Sequence, residues 1–524
     1  MTNLGWTRRG ELDLRYAETV SAPGRLWKWA ALVCLSLVLA QASTLAERID
    51  QLLNGPAAGA AFWGVRVVDL VSGRTLYEHN AHRLFVPASN AKLFSTAASL
   101  VRLGPEHRFL TRVMASAPPD GRGRIAGTVA LVGGGDPSLS GRALPYDRRS
   151  EFAGSPLEPL EALAAEVAAL GIRQIDGDIV GDDAFWVWQR YAEGIALDDT
   201  LAGYGAPVTA LAVHDNAVTV EIRPGEKAGQ LAWIRIEPPV AYFSIDNRIR
   251  TVDGKVPPRA ARIQREPGDR TLHLWGEIEV GRPGRAEILA IDDPAWFAAQ
   301  AFRDALERRS ILVLGRAVAR HLLPHEVPDL EKGGDPQESP YVLTLASRSS
   351  MPLVEHLRVI NKVSQNLHAE MALRAVARHR RGVGSLEASL AELKEFLAEA
   401  GIAPQEASFR DGSGLSRLNL VSPSAVVALL THMWNSPLRD SWLDSLPVGG
   451  WDGTLRGRLV GAPAAEHLRA KTGTLTHVSA LSGYLDDAGG RPLAFAILVN
   501  NYTEEAGAIR RLIDRLCLEL LGNH

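Results

Sequence analysis

Residues 85–92 read FVPASNAK, and this stretch leads directly into a helical pattern. The pattern predicts a helix from Ser89 to about Arg102, which Gly104 closes. Apolar side chains cover most of the circumference of this helix, so we expect it to be buried. Positions i and i+3 share one face of a helix, which places the Lys92 amine within reach of the Ser89 hydroxyl.

Two further short motifs follow this stretch in the chain, and each lies at or beside a lysine. They are Ser364-Gln365-Asn366, with Lys362 just ahead, and Lys471-Thr472-Gly473. The chain contains only eight lysines among its 57 Lys and Arg residues, so lysine is scarce wherever plain positive charge is needed. Arginine keeps its proton in proteins, whereas a desolvated lysine can lose it. Lysines kept at these positions therefore indicate amine chemistry.

The residue types in the first two motifs fit nucleophilic catalysis. Serine is a weak nucleophile until a base takes its proton, and Lys92 can be that base for Ser89 if burial or a nearby cation keeps it neutral. Lys471 is the candidate cation. Ser364 can relay a proton to a leaving amine. Asn366 can orient the substrate amide and form a hydrogen bond with Lys92.

The third motif is suited to holding the substrate. It stands just before the strand-like segment His477–Leu485, and we expect it to begin the same edge strand. Gly473 would let the substrate backbone approach closely, while Thr472 and the neighbouring lysine would hold a carboxylate. The backbone N–H groups of Ser89 and Thr474 are the candidate pair for an oxyanion hole.

Together, the three motifs in this order resemble those of penicillin-binding proteins and serine β-lactamases. The second gap is 471 − 364 = 107 residues, but the first is 364 − 89 = 275 residues, which leaves room for a large insertion. This spacing resembles the low-molecular-mass class C penicillin-binding proteins, the S13 family of D-Ala-D-Ala carboxypeptidase/endopeptidases. Similar strings stand at residues 133–137, 361–370 and 411–416, and the resemblance runs from about residue 55 to the C-terminus. The family often has Asp where this chain has Gln365, from which we expect altered fine structure rather than lost activity.

The resemblance implies an α/β (α+β) transpeptidase/β-lactamase-like domain that is split in the sequence, with helices on a mainly antiparallel sheet. We expect a signal peptide at 1–42, the first part of this domain at 43–107 and inserted β-rich domains at 108–325. A linker at 326–340 and the second part of the domain at 341–524 would follow.

The resemblance also implies the activity, the substrate and the inhibitors. The expected activity is that of a serine D-Ala-D-Ala carboxypeptidase, and also an endopeptidase, acting on peptidoglycan stem peptides through an acyl-serine intermediate. β-Lactams would enter as substrate mimics and leave a slowly cleared adduct on Ser89. No metal or organic cofactor is implied.

The N-terminal residues have the pattern of an export signal. Arg25 and Lys28 precede an apolar run at residues 29–40, and a small-x-small pattern follows at residues 40–42. The run is shorter than the roughly 20 residues of a comfortable membrane span, which favours cleavage after Ala42 and a periplasmic protein over an uncleaved anchor.

Composition excludes several other classes of protein. The net charge of −3 gives no sign of nucleic-acid binding, and two cysteines cannot form a disulfide framework. Two rival functions stay open: a β-lactamase or esterase, and a non-catalytic peptidoglycan-binding protein with a vestigial site. Peripheral membrane contact, oligomeric state and the balance between carboxypeptidase and endopeptidase activity also stay open.

The hydrophobic pattern and the turn residues predict further strands and helices along the chain. We expect a β-hairpin at 63–80 and a helix opening at Asp293-Pro294. Further strands are expected at 125–132, 172–181, 208–223 and 271–280, and further helices at 351–360, 364–379 and 385–401. Asp411 and the turn at 452–454 are weaker candidates for cleft residues. For Trp186 and Trp188, packing is favoured over contact with a sugar or peptide.

Overall fold

The computed structural model of the protein describes residues 44–148, 152–255, 257–334, 339–462 and 465–522. The expected signal peptide, residues 1–42, lies outside these described residues. Within them, no helix combines the length and the apolar character that crossing a membrane requires.

The described residues form ten α-helices and 21 strands. The helices are α1 (Leu45–Leu53), α2 (Ala91–Leu103), α3 (Glu158–Ala169), α4 (Pro294–Arg308), α5 (Leu353–Arg358), α6 (Asn366–Arg381), α7 (Leu386–Glu399), α8 (Pro423–Trp434), α9 (Arg439–Ser445) and α10 (Ala506–Leu521). The strands are β1 (Phe62–Asp69), β2 (Thr75–His79), β3 (Leu110–Ala115), β4 (Arg124–Ile125), β5 (Val129–Val132), β6 (Gln174–Ile175), β7 (Ile179–Val187), β8 (Ala217–Arg223), β9 (Trp233–Glu237), β10 (Ser244–Val252), β11 (Arg262–Gln264), β12 (Thr271–Glu279), β13 (Arg285–Ala290), β14 (Leu312–Val313), β15 (Ala317–Leu322), β16 (Leu343–Ser349), β17 (Ala407–Ser408), β18 (Leu420–Val421), β19 (Arg469–Leu475), β20 (Val478–Asp486) and β21 (Pro492–Asn500).

A five-stranded antiparallel sheet combines two strands from the N-terminal part of the described residues with three from the C-terminal part. Its strand order is β19-β20-β21-β1-β2. Strands β20 and β21 are buried almost throughout, which explains why residues 493–499 form a continuous apolar run. Helices α1 and α10 cover one face through a core that includes Trp63, Ile497 and Leu516. Helices α8 and α2 lie on the other face. This arrangement confirms the prediction of helices packed on a mainly antiparallel sheet.

Helix α2 is the buried helix that residues 85–92 predict. Every residue from Ala91 to Leu100 is buried, because α6, α7 and the sheet surround it. The start differs slightly from the expectation, since Ala88–Asn90 forms a single 3₁₀ turn and the α-helix begins at Ala91.

The region between the first two motifs is rich in strands. A five-stranded mixed sheet, β15-β7-β5-β3-β16, packs on α3 and α4, and three three-stranded sheets flank it. Because β16 pairs with β3, we propose that the inserted region extends to about residue 349, beyond the expected linker. The expected helix at Asp293-Pro294 is confirmed, and the Asp293 side chain accepts a hydrogen bond from Trp296 N–H at 2.9 Å.

Several predicted strands and helices have different bounds in the structure. The expected strand at 208–223 is wrong over its first half, because three consecutive residues, His214 to Asn216, have positive φ and interrupt the extended chain. The expected strands at 125–132 and 172–181 each divide between two strands that belong to different sheets. The helix expected at 364–379 begins at Asn366, and residues 359–363 form a π turn after α5.

Candidate active site

Ser89 and Lys92 meet at the start of α2. Lys92 is fully buried, and its Nζ lies 2.9 Å from Ser89 Oγ, 2.5 Å from Asn366 Oδ1 and 2.6 Å from the Ser413 carbonyl oxygen. A neutral amine has two N–H groups and one lone pair. The amide and carbonyl oxygens accept the two N–H groups, which leaves the lone pair for the Ser89 hydroxyl. The geometry therefore suits an amine that accepts a proton from Ser89.

The electrostatics of this amine support the same assignment. Burial lowers the pKa of Lys92 from 10.5 to about 7, although the Asp411 and Glu370 carboxylates act in the opposite direction. Glu370 is itself buried, and burial together with the Asp411 charge raises its pKa to about 7. Its Oε1 accepts hydrogen bonds from Gly412 N–H at 2.8 Å and Ser413 N–H at 2.7 Å, and so fixes the backbone segment that binds Lys92.

Ser364 of the second motif is held in a strained conformation. It follows the π turn Val359–Val363 and has φ of 67°, in the left-handed region that residues other than glycine rarely occupy. This conformation aims its hydroxyl at the third motif, where Lys471 Nζ donates a hydrogen bond to Ser364 Oγ at 2.8 Å. Burial and the Lys92 amine both lower the pKa of Lys471 well below its usual value.

The third motif lies on β19, at the edge of the central sheet. The expectation of an edge strand is correct, but β19 is a separate strand that pairs with β20 and is not the start of His477–Leu485. Gly473 packs against the 3₁₀ turn that carries Ser89, and a Cβ there would come within 2.8 Å of the Pro87 carbonyl oxygen. Asn90 Nδ2 also donates to the Lys471 carbonyl at 3.0 Å, so β19 and the start of α2 hold each other in place.

The inserted region supports the second motif, which the sequence analysis did not anticipate. Asn366 Nδ2 donates to the Tyr204 carbonyl at 2.8 Å, and Gln365 Nε2 donates to Asp215 Oδ2 at 2.9 Å. Although burial opposes it, the nearby Arg142 and His368 hold the pKa of Asp215 below its usual range. The only available sequence signal was a polar His-Asp-Asn run in an apolar segment at 208–220.

The weaker candidates for substrate contact make contacts within the protein instead. Asp411 is fully buried and accepts hydrogen bonds from the Gly414 and Ser416 N–H groups, so it organises its own loop. In the turn at 452–454, Thr454 Oγ1 accepts a hydrogen bond from Thr472 Oγ1 at 2.8 Å. Trp186 is buried, and Trp188 stacks on His321 with ring centroids 4.1 Å apart. Packing, the favoured interpretation for both tryptophans, agrees with these contacts.

These elements define a class of protein. A serine faces a buried lysine at the start of a buried helix, a second serine faces a second buried lysine, and Lys-Thr-Gly forms the edge of an antiparallel sheet. This is the arrangement of the penicillin-recognising enzymes that act through an acyl-serine.

Comparison with known proteins identifies the family. The model of the D-Ala-D-Ala carboxypeptidase 3 (S13) family matches residues 45–519. The chain is 34% identical over 479 residues to a D-alanyl-D-alanine carboxypeptidase from an Actinomadura species, which covers 89% of this chain and 83% of that protein. It is 24% identical over 429 residues to D-alanyl-D-alanine carboxypeptidase DacB of Haemophilus influenzae, which covers 81% of this chain and 82% of that protein. The chain belongs to the D-Ala-D-Ala carboxypeptidase 3 (S13) family.

A solved structure has the same fold. The crystal structure of penicillin binding protein 4 (dacB) from Haemophilus influenzae aligns with a TM-score of 0.76 and 24% identity, over 90% of this chain and 99% of that chain. The predicted family, fold class and enzyme class, a serine-type D-Ala-D-Ala carboxypeptidase, are therefore confirmed.

Proposed function

We propose that Ser89 is the nucleophile of a D-Ala-D-Ala carboxypeptidase that also cleaves peptide crosslinks in peptidoglycan. The observation that carries the proposal is the 2.9 Å contact between Ser89 Oγ and a fully buried Lys92 Nζ whose pKa is lowered to about 7. A nucleophile within hydrogen-bond reach of a base that is neutral near pH 7 meets the basic requirement for acyl transfer.

In the acylation step, Lys92 takes the Ser89 proton as Ser89 Oγ forms a bond to the carbonyl carbon of the penultimate D-Ala. The backbone N–H groups of Ser89 and Thr474 stabilise the oxyanion. Lys471 and Thr472 hold the terminal carboxylate, and this negative charge raises the pKa of Lys471 and favours its ammonium form. Before Lys92 takes the proton, the two buried lysines are therefore in opposite protonation states, with Lys92 neutral and Lys471 charged.

The leaving amine takes its proton from Ser364. As the carbon–nitrogen bond breaks, Ser364 Oγ gives a proton to the nitrogen and receives one from Lys471, 2.8 Å away. Water then enters where the amine was and attacks the ester carbonyl carbon. Its proton returns through Ser364 to Lys471, while Lys92 gives its proton back to Ser89 Oγ as the ester bond breaks. The protons balance over the cycle, and the products are the shortened peptide and free D-Ala.

The same atoms serve a D-Ala–diaminopimelate crosslink, because this amide also carries a carboxylate on the residue that leaves. β-Lactams present a strained amide next to a carboxylate and enter the site in the same way. Because a β-lactam's amine stays tethered to the acyl group after ring opening, it hinders the attacking water, and the adduct on Ser89 is long-lived. We also propose that the chain acts on the periplasmic side of the membrane, where its substrate is located and to which the export pattern before Ser43 would direct it.

The test is the intact mass of the purified protein over time after addition of benzylpenicillin, with Ser89→Ala as the matched variant. We expect an adduct of one drug mass that persists for minutes and that is absent from Ser89→Ala. An adduct that disappears within seconds as the drug is consumed would indicate a β-lactamase. Absence of any adduct on folded protein would contradict the catalytic assignment.

A further inference from the structure

A groove of about 590 Å³ opens beside the active site, and none of the roles proposed above uses it. It is lined by residues 146–148 of the inserted region, by Lys362 and Arg358 ahead of the second motif, by the loop around Trp451 and by Arg469 on β19. Pockets of this volume accommodate ligands of several residues. The groove is therefore large enough for a peptide and much larger than a single alanine needs.

Contacts join this groove to the end of the site that handles the leaving group. Lys362 stands two residues before Ser364, and its Nζ donates to Asp452 Oδ2 at 2.5 Å. Two residues after Asp452, Thr454 forms a hydrogen bond with Thr472, the residue proposed to hold the terminal carboxylate. Lys362 and the turn at 452–454 thus connect the groove to Ser364 and Thr472.

The course of strand β19 also leads from the active site to the groove. Alternate residues of a strand point to the same face, so Arg469 lies on the face of Lys471, about 7 Å nearer to the groove. In the proposed mechanism, Ser364 protonates the leaving nitrogen, and the acyl part stays with Ser89 and Asn366. A leaving group longer than one residue must therefore extend past Ser364 in the direction of Arg469.

We infer that this groove binds the peptide leaving group of a crosslinked substrate, a chain of several residues that carries carboxylate and amide groups. The inference rests on the proposed function, since it concerns the second product of the same reaction. Free D-Ala, the leaving group of the carboxypeptidase reaction, ends at Thr472 and does not reach the groove.

The groove offers a flat amphipathic platform for such a peptide. Trp451 is 51% exposed, and the Arg148 guanidinium lies 3.7 Å from the centroid of its ring. The aromatic face packs against the apolar parts of a peptide, and the guanidinium can form charge-assisted hydrogen bonds with a carboxylate. An exposed tryptophan held by an arginine is pre-organised for binding, because little side-chain freedom is lost when a ligand arrives.

The charges of the groove suit a peptide that carries carboxylates. Within the described residues, Arg469, Asp147 and Glu466 make no ion pair, although all three line the groove. Arg469 can pair with a carboxylate of the leaving peptide, and the two acidic residues can accept hydrogen bonds from its amide N–H groups. A lining of this kind favours a peptide with carboxylate and amide groups over an apolar chain.

The experiment compares two substrates with wild type, Trp451→Ala and Trp233→Ala. Trp233 is a matched control, because it is 49% exposed and has Arg223 at 5.5 Å from its ring, but it lies on β9 of the inserted region. The substrates are a purified D-Ala–diaminopimelate crosslinked disaccharide-peptide dimer and a monomeric disaccharide-pentapeptide. Chromatography of the products gives kcat/KM for each, and the rate of acylation by benzylpenicillin reports on the catalytic atoms.

We expect Trp451→Ala to lower the dimer-to-monomer ratio of kcat/KM at least fivefold, with acylation by benzylpenicillin within twofold of wild type. Trp233→Ala should leave the ratio within twofold of wild type, and Arg469→Gln should lower it in the same direction as Trp451→Ala. An unchanged ratio in Trp451→Ala, or an equal fall for both substrates, would overturn the inference.

Two outcomes distinguish a failure of the groove inference from a failure of the proposed function. If the wild-type protein cleaves the monomer and not the dimer, the inference about the groove and the proposed crosslink activity are both wrong. The carboxypeptidase assignment then still stands. A wild-type protein that neither cleaves the monomer nor forms an adduct overturns the proposed function itself, and the inference fails with it.

Discussion

The pKa of Lys92 makes a quantitative prediction for the pH dependence of acylation. Its shift from 10.5 to about 7 corresponds to about 5 kcal/mol of difference between the two protonation states. The sign follows from the chemistry, because only the neutral amine can take the Ser89 proton. The rate must therefore rise with pH while Lys92 loses its proton and level off above that range.

The expected magnitude follows from the fraction of neutral Lys92. With a pKa of about 7, this fraction is about 0.9 at pH 8 and about 0.01 at pH 5, so the second-order rate of acylation should fall about 90-fold between them. The assay is stopped-flow or mass-resolved acylation by benzylpenicillin, whose own carboxylate stays ionised over this range. A rate that keeps rising tenfold per pH unit through pH 9 would refute the reasoning.

Glu370 provides the control, because its pKa is also raised to about 7 and it could be the titrating group. In Glu370→Gln the amide oxygen can still accept from Gly412 and Ser413, but the charge that raises the pKa of Lys92 is gone. If Lys92 is the base, the pH limb persists and moves to lower pH. If Glu370 were the titrating group, the limb would disappear in this variant.

Three further substitutions test the surroundings of the site and the core. Gln365→Asp should place a second carboxylate beside buried Asp215 and destabilise the fold by on the order of 3 kcal/mol, as thermal unfolding would measure. Tyr484→Phe should cost about 1–3 kcal/mol, because Trp442 Nε1–H, which now donates to Tyr484 Oη at 2.9 Å, would lose its acceptor; urea unfolding measures this, and a stability equal to wild type would contradict it. Ile497→Ala, in the fully buried centre of β21, should cost about 2–5 kcal/mol in the same assay and leave acylation by the remaining folded protein unchanged.

The three motifs of the candidate site were predictable because their signals are local. Ser89 and Lys92 are three residues apart, across the 3₁₀ turn and the start of α2, and the rarity of lysine in this chain marks Lys92 and Lys471 as unusual. The hairpin β1–β2 and the start of α4 were predictable for the same reason, since the turn at Ser72-Gly73 and the cap at Asp293 depend only on their immediate neighbours.

The supporting contacts were not predictable, because they join residues far apart in the sequence. Gln365 and Asp215 are 150 residues apart, and Asn366 and Tyr204 are 162 residues apart. The strand expected at 208–223 is wrong in its first half, because the apolar pattern of residues 208–213 resumes at 217 although positive φ values at 214–216 bend the chain between them. Hydrophobic pattern reports which face is buried, but it does not report the backbone turn that aims one polar side chain at another.

These contacts also account for the one departure from the family's motif. An Asp at position 365 would place its carboxylate near that of buried Asp215, and two nearby carboxylates repel each other unless one is protonated. The Gln365 amide instead donates a hydrogen bond to Asp215, and Arg142 and His368 contact the same carboxylate. Because Gln365 points towards the inserted region and Ser364 towards Lys471, the middle position of the motif can change without altering the two neighbouring side chains. The inserted region therefore helps to position the second motif, since Asp215 and the Tyr204 carbonyl bind the two residues that follow Ser364.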